Sequence, residues 1–307
     1  MLTKKNRSKL PKGKTILIAG GTGLIGRSLV EALIDRGHEV RVLTRSPKKK
    51  NEFYWSPSDK KIDDKALENV QCIVNLAGAG IADKRWTETR KKEIISSRVN
   101  TTRYLFELSK NMTQFNHYIS ASGINCYGYD QPERKHKESD DFGSDFLSVV
   151  VKRWEEAADL FADDHRVAKI RTGVVLDKDG GALAQIAKTV KNYVGAPLGK
   201  GNQWMPWLTI DDMVRIYIHA VENELDGAYN AVADSVTNKE FTKSLAKVLG
   251  KPLWLPNVPS FVMKIILGEM STVVLNGLQA DNSKIKETGF SFEHTNLKEA
   301  LEKIYED

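Results

Sequence analysis

The stretch TILIAGGTGLIG, residues 15–26, decides the fold of this chain. Residues 15–19 form a short, mainly apolar run that predicts a buried strand, and Ile25, Leu29 and Leu33 recur every four residues, which predicts a helix. The glycines between the two follow the frame Gly-x-x-Gly-x-x-Gly. A strand that meets a helix across such a turn is typical of a parallel, doubly wound sheet.

The same turn predicts a dinucleotide-binding site. A tight turn from strand to helix needs φ values that glycine adopts cheaply, and without side chains the backbone can approach a diphosphate closely. The start of the helix then offers free N–H groups and the positive end of its dipole. A purely structural glycine turn is the alternative. We expect cofactor contacts from seven residues, namely Gly20, Gly21, Thr22, Gly23, Leu24, Ile25 and Gly26.

The end of the second predicted strand indicates which dinucleotide is bound. An NAD site usually places an acid about 20 residues beyond the turn, where it accepts from the ribose 2′-hydroxyl. Residues 40–50 contain no Asp or Glu, and Arg45 stands there instead. A guanidinium pairs well with a 2′-phosphate, and Thr44 can add a hydroxyl. The sequence therefore favours NADP(H) over NAD(H), with an exposed loop cation as the alternative role for Arg45.

Short apolar strands alternate with longer amphipathic segments along the chain. We expect strands at residues 40–43, 53–55, 72–76, 117–122, 168–171 and 228–233. We expect one helix that begins near Glu88 and another that ends near Phe161. Three further helices should span residues 210–221, 261–267 and 297–305. This alternation predicts an α/β fold, a Rossmann-type parallel sheet with a smaller C-terminal lobe. The expected divisions are a basic disordered tail at 1–14, a dinucleotide-binding domain at 15–235 with lobe residues inserted around 177–205, and a C-terminal lobe at 236–307.

Composition and charge exclude several classes of protein. The chain has 307 residues, with 41% apolar and 28% charged residues, which is ordinary for a globular protein. No run of about 18 apolar residues exists, so we expect no membrane partner. The net charge of +6 equals the cations of the tail, which are Lys4, Lys5, Arg7, Lys9, Lys12 and Lys14. We therefore expect a solubilising tail and no nucleic-acid partner, although such a tail could touch nucleic acid or anionic lipid.

The cysteines indicate a reducing compartment. Cys72 and Cys126 are too few for a disulfide framework in a chain of this length. A cytoplasmic location fits two free thiols. No Cys/His cluster has the spacing of zinc ligands, so we expect no metal.

Several motifs resemble a known family. The glycine turn, the run Asn75-Leu76-Ala77-Gly78 after a strand, and Ile210-Asp211-Asp212 resemble the extended short-chain dehydrogenases/reductases of the NAD-dependent epimerase/dehydratase type. The resemblance implies further cofactor contacts from Leu76, Ala77 and Gly78, from Ser120, and from Arg98, which stands where the family often has Asn.

A narrower resemblance spans residues 15–305. The chain is similar to an atypical subgroup of epimerase family proteins that has its own C-terminal domain. The shared stretches are KRWT at 84–87, SRV at 97–99, WE at 154–155, RTGVVL at 171–176, GGAL at 180–183, GKGNQW at 199–204 and LGEMS at 267–271.

The catalytic residues of the wider family are only partly present. Its members use a Ser or Thr together with Tyr-x-x-x-Lys, in which the tyrosine is the general acid/base. No tyrosine here has a lysine four residues later. Ser122 matches the family serine, Lys152 occupies the lysine position with Ser148 at the tyrosine position, and Tyr127, five residues after Ser122, could supply the missing phenol. A packing role for Tyr127 and a solvated role for Lys152 remain open.

Two functions are compatible with this pattern. The first is an NADP(H)-binding oxidoreductase or epimerase-like enzyme that acts on an alcohol or carbonyl, such as that of a nucleotide sugar. Ser122 would polarise the substrate oxygen, and Tyr127 or a water would supply the proton. The second is a catalytically degenerate NADP(H)-binding sensor. A small-molecule ligand is expected in either case, and a homodimer follows from the frequency of cyclic dimers and from family habit.

Overall fold

The computed structural model describes residues 13–306. The described part contains thirteen strands: β1 (Thr15–Ala19), β2 (Glu39–Thr44), β3 (Glu52–Ser56), β4 (Lys61–Ile62), β5 (Cys72–Asn75), β6 (His117–Gly123), β7 (Lys135–His136), β8 (Arg166–Thr172), β9 (Val174–Leu176), β10 (Trp204–Thr209), β11 (Gly227–Ala231), β12 (Asp234–Thr237) and β13 (Gln279–Ala280). Its α-helices are α1 (Leu24–Asp35), α2 (Glu88–Ser109), α3 (Phe146–Ala158), α4 (Gly181–Lys191), α5 (Ile210–Asn223), α6 (Asn238–Val248), α7 (Ser260–Leu267), α8 (Ser271–Leu275), α9 (Ser283–Glu287) and α10 (Leu297–Glu306).

Eight strands form one sheet in the order β11-β8-β6-β5-β1-β2-β3-β4. Every neighbouring pair is parallel except the last, in which β4 runs antiparallel to β3. The α/β Rossmann-type fold predicted from the sequence is confirmed. The strand order reverses at β1, with β2 on one side and β5 on the other. In such sheets, ligands bind beyond the carboxyl ends of the strands at this point.

Helices bury both faces of the sheet, which explains why its strands are almost continuously apolar. In β1, Ile16 and Ile18 point into one core cluster, together with Leu29 and Leu33 of α1. Leu17, on the alternate side of the strand, packs into a second cluster beneath α2 and α3. Alternate residues of the strand therefore face opposite sides of the sheet, and helix residues four apart share the face that packs on it.

Side-chain caps determine where several helices start. Thr87 accepts a hydrogen bond from the Arg90 N–H at the start of α2. Asp145 accepts from two backbone N–H groups at the start of α3, and Thr237 forms a capping box with Glu240 at α6. Such caps satisfy N–H groups that have no partner inside the helix. The start of α1 has no cap of this kind.

The second half of the chain adds elements that the sequence did not reveal. A three-stranded sheet forms in the order β12-β10-β9, and α4 and α6 pack against each other beside it. Trp207 in β10 is fully buried in the first core cluster, so it belongs to the core and does not line a pocket. The proposed domain boundary near residue 235 stays a prediction.

The basic tail lies outside the described residues except for its end. Lys14 donates to the Val221 carbonyl at 3.0 Å and to Glu224 at 2.8 Å. Over residues 13–306, no helix is long and apolar enough to cross a bilayer. Cys72 and Cys126 are both free and buried. The described residues hold no group of three or more His, Cys, Asp or Glu side chains arranged as metal ligands.

Candidate cofactor and active site

The glycine turn brings three backbone segments into contact. Gly20 has a φ of +81°, and a Cβ built on it would lie 2.9 Å from the Ala77 nitrogen. A Cβ on Gly26 would lie 2.3 Å from the Gly20 carbonyl oxygen. Larger side chains at these two positions would separate α1 from β1 and from the loop after β5. The turn therefore requires glycine at both positions, because a Cβ there would collide with neighbouring backbone atoms.

The first turn of α1 presents unused donors. Gly23 is its N-cap residue and makes no side-chain cap, and no acidic residue occurs in the first turn. The Arg27 N–H donates to the Gly23 carbonyl, but no described residue accepts from the N–H groups of Leu24, Ile25 and Gly26. Free N–H groups at the positive end of a helix dipole make an anion-binding site. These free donors adjoin the glycine turn, which supports a ligand at this end.

Thr44 and Arg45 lie at the carboxyl end of β2, beside the start of α1. Thr44 is half-buried and its Oγ1 accepts from the Ser46 N–H at 3.3 Å. Arg45 is exposed, and its guanidinium forms no ion pair with the residues that the structure describes. A free guanidinium at this position can meet an anionic group of a ligand.

Asn75 shapes the loop after β5. Its Nδ2 donates to the hydroxyls of Thr102 and Tyr118, and its Oδ1 accepts from the Ala77 N–H at 3.1 Å. The buried amide thus holds Leu76, Ala77 and Gly78 in place against the glycine turn. This loop forms the second side of the crevice at the switch point of the sheet.

Arg98 lies directly beneath that loop. Its Nη1 donates to the carbonyls of Ala79 and Ile94 at 3.0 Å each, and its Cζ lies 5.1 Å from the centre of the Trp154 ring. A Cβ on Gly78 would lie 3.0 Å from the Arg98 Cζ. Burial, followed by the nearby charge of Arg90, lowers the pKa of Arg98 to about 10. Among the described residues, Arg98 has no carboxylate partner, which is unusual for a buried cation.

Ser122 lies at the end of β6, inside a buried polar network. Its Oγ donates to Glu155 Oε1 at 2.5 Å. The same carboxylate accepts from Nε and Nη2 of Arg171, both at 2.8 Å. The Ser122 hydroxyl proton is therefore directed into the protein.

Tyr127 belongs to the same network from the other end. Its hydroxyl accepts from Arg171 Nη1 at 2.9 Å and donates to Asn230 Oδ1 at 2.7 Å. Its ring stacks on His136, with the ring centres 4.9 Å apart and an interplanar angle of 8°. Burial is the largest effect on its pKa, which is raised above the usual value for a phenol. Tyr127 is thus protonated and held in the interior.

The other two candidates lie apart from this network. Ser120 is fully buried in β6, and its hydroxyl donates to the carbonyl of the next residue, Ala121, at 2.9 Å. Lys152 is exposed on α3, and none of its described contacts reaches Ser122 or Tyr127. The structure therefore brings Ser122 and Tyr127 together through Arg171 and does not bring Lys152 to them.

Sequence analysis did not assign a site role to Glu155 or Asn230. Glu155 is the only charged side chain of α3 that faces the core, since its neighbours Lys152 and Glu156 are exposed. Asn230 is fully buried in the edge strand β11. Arg171 was the signal in the sequence that could have pointed to a buried partner such as Glu155. It is a charged residue in a largely apolar strand, and a buried arginine requires a buried partner.

Comparison with known proteins places this geometry in a family. The NAD dependent epimerase/dehydratase family profile matches residues 16–145, and the profile of a domain of unknown function, DUF1731, matches residues 258–304. The chain is 36% identical over 302 residues to the chloroplastic SDR39U1 homolog, an epimerase family protein of Arabidopsis thaliana, covering 94% of this chain and 86% of that protein. It is 33% identical over 298 residues to the SDR39U1 protein of Mus musculus, covering 94% and 99% respectively.

Solved structures agree with this assignment. The crystal structure of human epimerase family protein SDR39U1 with NADPH superposes with a TM-score of 0.87 at 32% identity, covering 95% of this chain and 99% of that one. A nucleoside-diphosphate sugar epimerase from Corynebacterium glutamicum superposes with a TM-score of 0.78 at 30% identity, covering 94% of this chain and 57% of that one. The chain therefore belongs to the SDR39U1-type epimerase family proteins, with an epimerase/dehydratase fold followed by a DUF1731 domain.

Proposed function

We propose that this chain binds NADP(H) and is an oxidoreductase or epimerase-like enzyme acting on an alcohol or carbonyl. The observation that carries the proposal is the pairing of an uncapped α1 with Arg45, a cation at the position where an NAD site has an acid. The NADPH in the related human structure supports the same choice of cofactor.

The residues present fit this cofactor. The N–H groups of Leu24, Ile25 and Gly26 would hold the diphosphate, because they lack partners and lie at the positive end of α1. Arg45 and Thr44 would contact the 2′-phosphate. The backbone of residues 76–78 would form the opposite wall, with Arg98 behind it. The nicotinamide, when bound, supplies or accepts a hydride.

The hydrogen bonds of the network limit what Ser122 and Tyr127 can do. Because Ser122 donates to Glu155, its oxygen is left as an acceptor and would orient the hydroxyl of an alcohol substrate. Because Tyr127 donates to Asn230, its phenol is not free to give a proton. Water is then the proton donor or acceptor that we propose for the reaction.

The test begins with binding. Isothermal titration of NADPH and NADH into the wild type should show a clear preference for NADPH. Gly26→Ala should abolish binding, because the added Cβ forces the Gly20 carbonyl out of place. Ser28→Ala, an exposed position in the same helix, is the matched control. Absence of heat with every pyridine nucleotide would overturn the proposal.

Catalysis is tested separately, by following NADPH absorbance during incubation with sugar nucleotides, aldehydes and ketones. Nucleotide sugars are included because the Corynebacterium glutamicum protein is described as a nucleoside-diphosphate sugar epimerase. Turnover that is lost in Ser122→Ala but retained in Lys152→Ala would support the proposed arrangement. Binding of NADPH without turnover on any class would count against the enzymatic function.

A sensor of NADP(H) is the second candidate. It is favoured by the inward donation of the Ser122 and Tyr127 protons and by the exposed position of Lys152. This function predicts a large increase in melting temperature with NADPH and no chemistry. A measured turnover that depends on Ser122 would exclude it.

Partners and compartment are proposed on general grounds. We propose a homodimer, because cyclic dimers are the commonest homo-oligomers. We propose a cytoplasmic location because Cys72 and Cys126 are free thiols, and we propose no nucleic-acid partner.

A further inference from the structure

Helix α7 and the segment before it expose an unusual amount of apolar surface. Trp254 is 67% exposed, Phe261 65%, Ile265 69% and Ile266 57%. None of the eight residues of α7 is buried. A helix that is apolar around most of its circumference is normally covered by protein or by lipid.

Two segments of the chain near this helix carry only basic charges. Residues 180–210 and 241–268 contain no Asp, no Glu and no Arg. They contain seven lysines, which are Lys188, Lys191, Lys200, Lys243, Lys247, Lys251 and Lys264. All of these except Lys251, which is half-buried, are exposed. The net charge of +6 equals the charge of the tail because acidic residues elsewhere in the chain offset these lysines.

Hydrogen bonds join the two segments. The Gly199 N–H donates to the Val258 carbonyl at 2.8 Å, two residues before α7 begins. At the other end, Lys251 Nζ donates to the Tyr193 hydroxyl at 2.9 Å. Tyr193 and Val194 are themselves 47% and 56% exposed. We call the exposed apolar residues Tyr193, Val194, Trp254, Phe261, Ile265 and Ile266, with the nearby lysines Lys200, Lys251 and Lys264, the basic apolar surface.

We propose that the basic apolar surface docks this protein on an anionic lipid bilayer. Exposed Trp, Phe and Ile side chains can enter the headgroup region, while lysines are attracted to anionic lipids. This is peripheral association and requires no spanning helix. It differs from the expectation of no membrane partner, which was based only on the absence of a spanning segment.

Two other occupants fit the surface less well. A second copy bound about a twofold axis would bring this positively charged patch against a copy of itself, which like-charge repulsion opposes. Single-stranded nucleic acid is bound by basic side chains together with aromatic rings that stack on bases. The apolar side chains Val194, Ile265 and Ile266 have no stacking face.

The experiment is cosedimentation of the full chain with phosphatidylcholine vesicles, with and without phosphatidylglycerol. The wild type should bind only the anionic vesicles, and binding should weaken as salt is added. The double variant Phe261→Ser, Ile265→Ser should lower the partition coefficient at least about 10-fold, because two large apolar side chains no longer leave water. Ile34→Ser is the matched control, since Ile34 is 46% exposed on α1.

Further arms distinguish the sources of binding. Unchanged NADPH affinity and melting temperature would show that the double variant is folded. A full-length variant with Lys4, Lys5, Arg7 and Lys9 replaced by Gln should still bind the anionic vesicles. Adding Ile265→Ser to this variant should weaken that binding. Any of three results would overturn the proposal: no wild-type binding to anionic vesicles, loss of all binding in the tail variant, or a double variant that changes only the oligomeric state or the affinity for an RNA or DNA oligonucleotide.

Discussion

Glu155 and Arg171 form a buried bidentate ion pair that joins α3 to β8. Nε and Nη2 of Arg171 each lie 2.8 Å from a carboxylate oxygen, and the two side chains are only 5% and 4% exposed. Burial is the largest effect on the pKa of Arg171 and would lower it, but the hydrogen bonds to Glu155 and the charges of neighbouring groups together raise that pKa. The pair also orients the hydroxyl groups of Ser122 and Tyr127, since Ser122 donates to Glu155 and Tyr127 accepts from Arg171.

Glu155→Gln should strongly destabilise the protein. The change removes the charge that compensates Arg171 in the interior, and breaking one side of a buried ion pair costs about 3–5 kcal/mol of unfolding free energy. Urea denaturation followed by circular dichroism measures this change. Glu156→Gln, at the exposed neighbouring position, should change the unfolding free energy by less than about 0.5 kcal/mol. Equal effects of the two variants would show that the ion pair does not stabilise the fold.

Tyr127→Phe should reduce stability but leave NADPH binding intact. Removing the hydroxyl leaves Asn230 Oδ1 and Arg171 Nη1 without this partner, which costs about 1–3 kcal/mol. Tyr54→Phe, at a site 42% exposed, serves as the control and should be close to neutral. Thermal denaturation and titration calorimetry give the two quantities. A Tyr127→Phe protein of normal stability that has lost only catalytic turnover would instead identify Tyr127 as the proton donor.

Arg45→Ala should weaken NADPH binding by about 10- to 100-fold, because a charge-assisted hydrogen bond to a phosphate contributes about 1.5–3 kcal/mol. Affinity for NADH should hardly change, since NADH lacks the 2′-phosphate. Lys48→Ala, also exposed just beyond β2, is the control for nonspecific charge effects. Fluorescence titration with both nucleotides measures the ratio. A parallel loss for NADPH and NADH would place Arg45 elsewhere on the cofactor.

Stability should fall as the solution is acidified from pH 6.5 towards pH 4. Burial lowers the pKa of His117 from 6.5 to about 4, so in this range the unfolded chain binds a proton that the folded chain does not. The unfolding free energy therefore rises between pH 4 and pH 6.5. Above pH 6.5 the contribution of His117 to this rise is complete and amounts to up to about 3 kcal/mol.

Urea unfolding of the wild type and of His117→Gln at several pH values tests this expectation. The variant should keep only a shallower slope, because burial also lowers the pKa values of His38, His165 and His219. Identical slopes for the two proteins would mean that His117 is not the group responsible.

Much of the fold could be predicted because its signals are local. The glycine turn, the apolar runs of the strands and the periodicity of α1 each depend on residues within one or two turns of each other, and the structure confirms these elements. The missed elements are strands β4, β7, β9, β10, β12 and β13 and helices α4, α6, α8 and α9. The strands β7 and β13 have two residues each and exist only because they pair with each other, which no local pattern indicates.

The amino-acid sequence by itself determined the doubly wound sheet, the bare turn before α1 and the cation at position 45, because backbone sterics and side-chain period act between near neighbours. Only the tertiary structure decided how Ser122 and Tyr127 are used. Ser122 meets Glu155 across 33 residues, Tyr127 meets Arg171 across 44, and Tyr127 meets Asn230 across 103. A buried hydroxyl must find whichever partner the packing of distant strands and helices brings near it, and this depends on the whole fold.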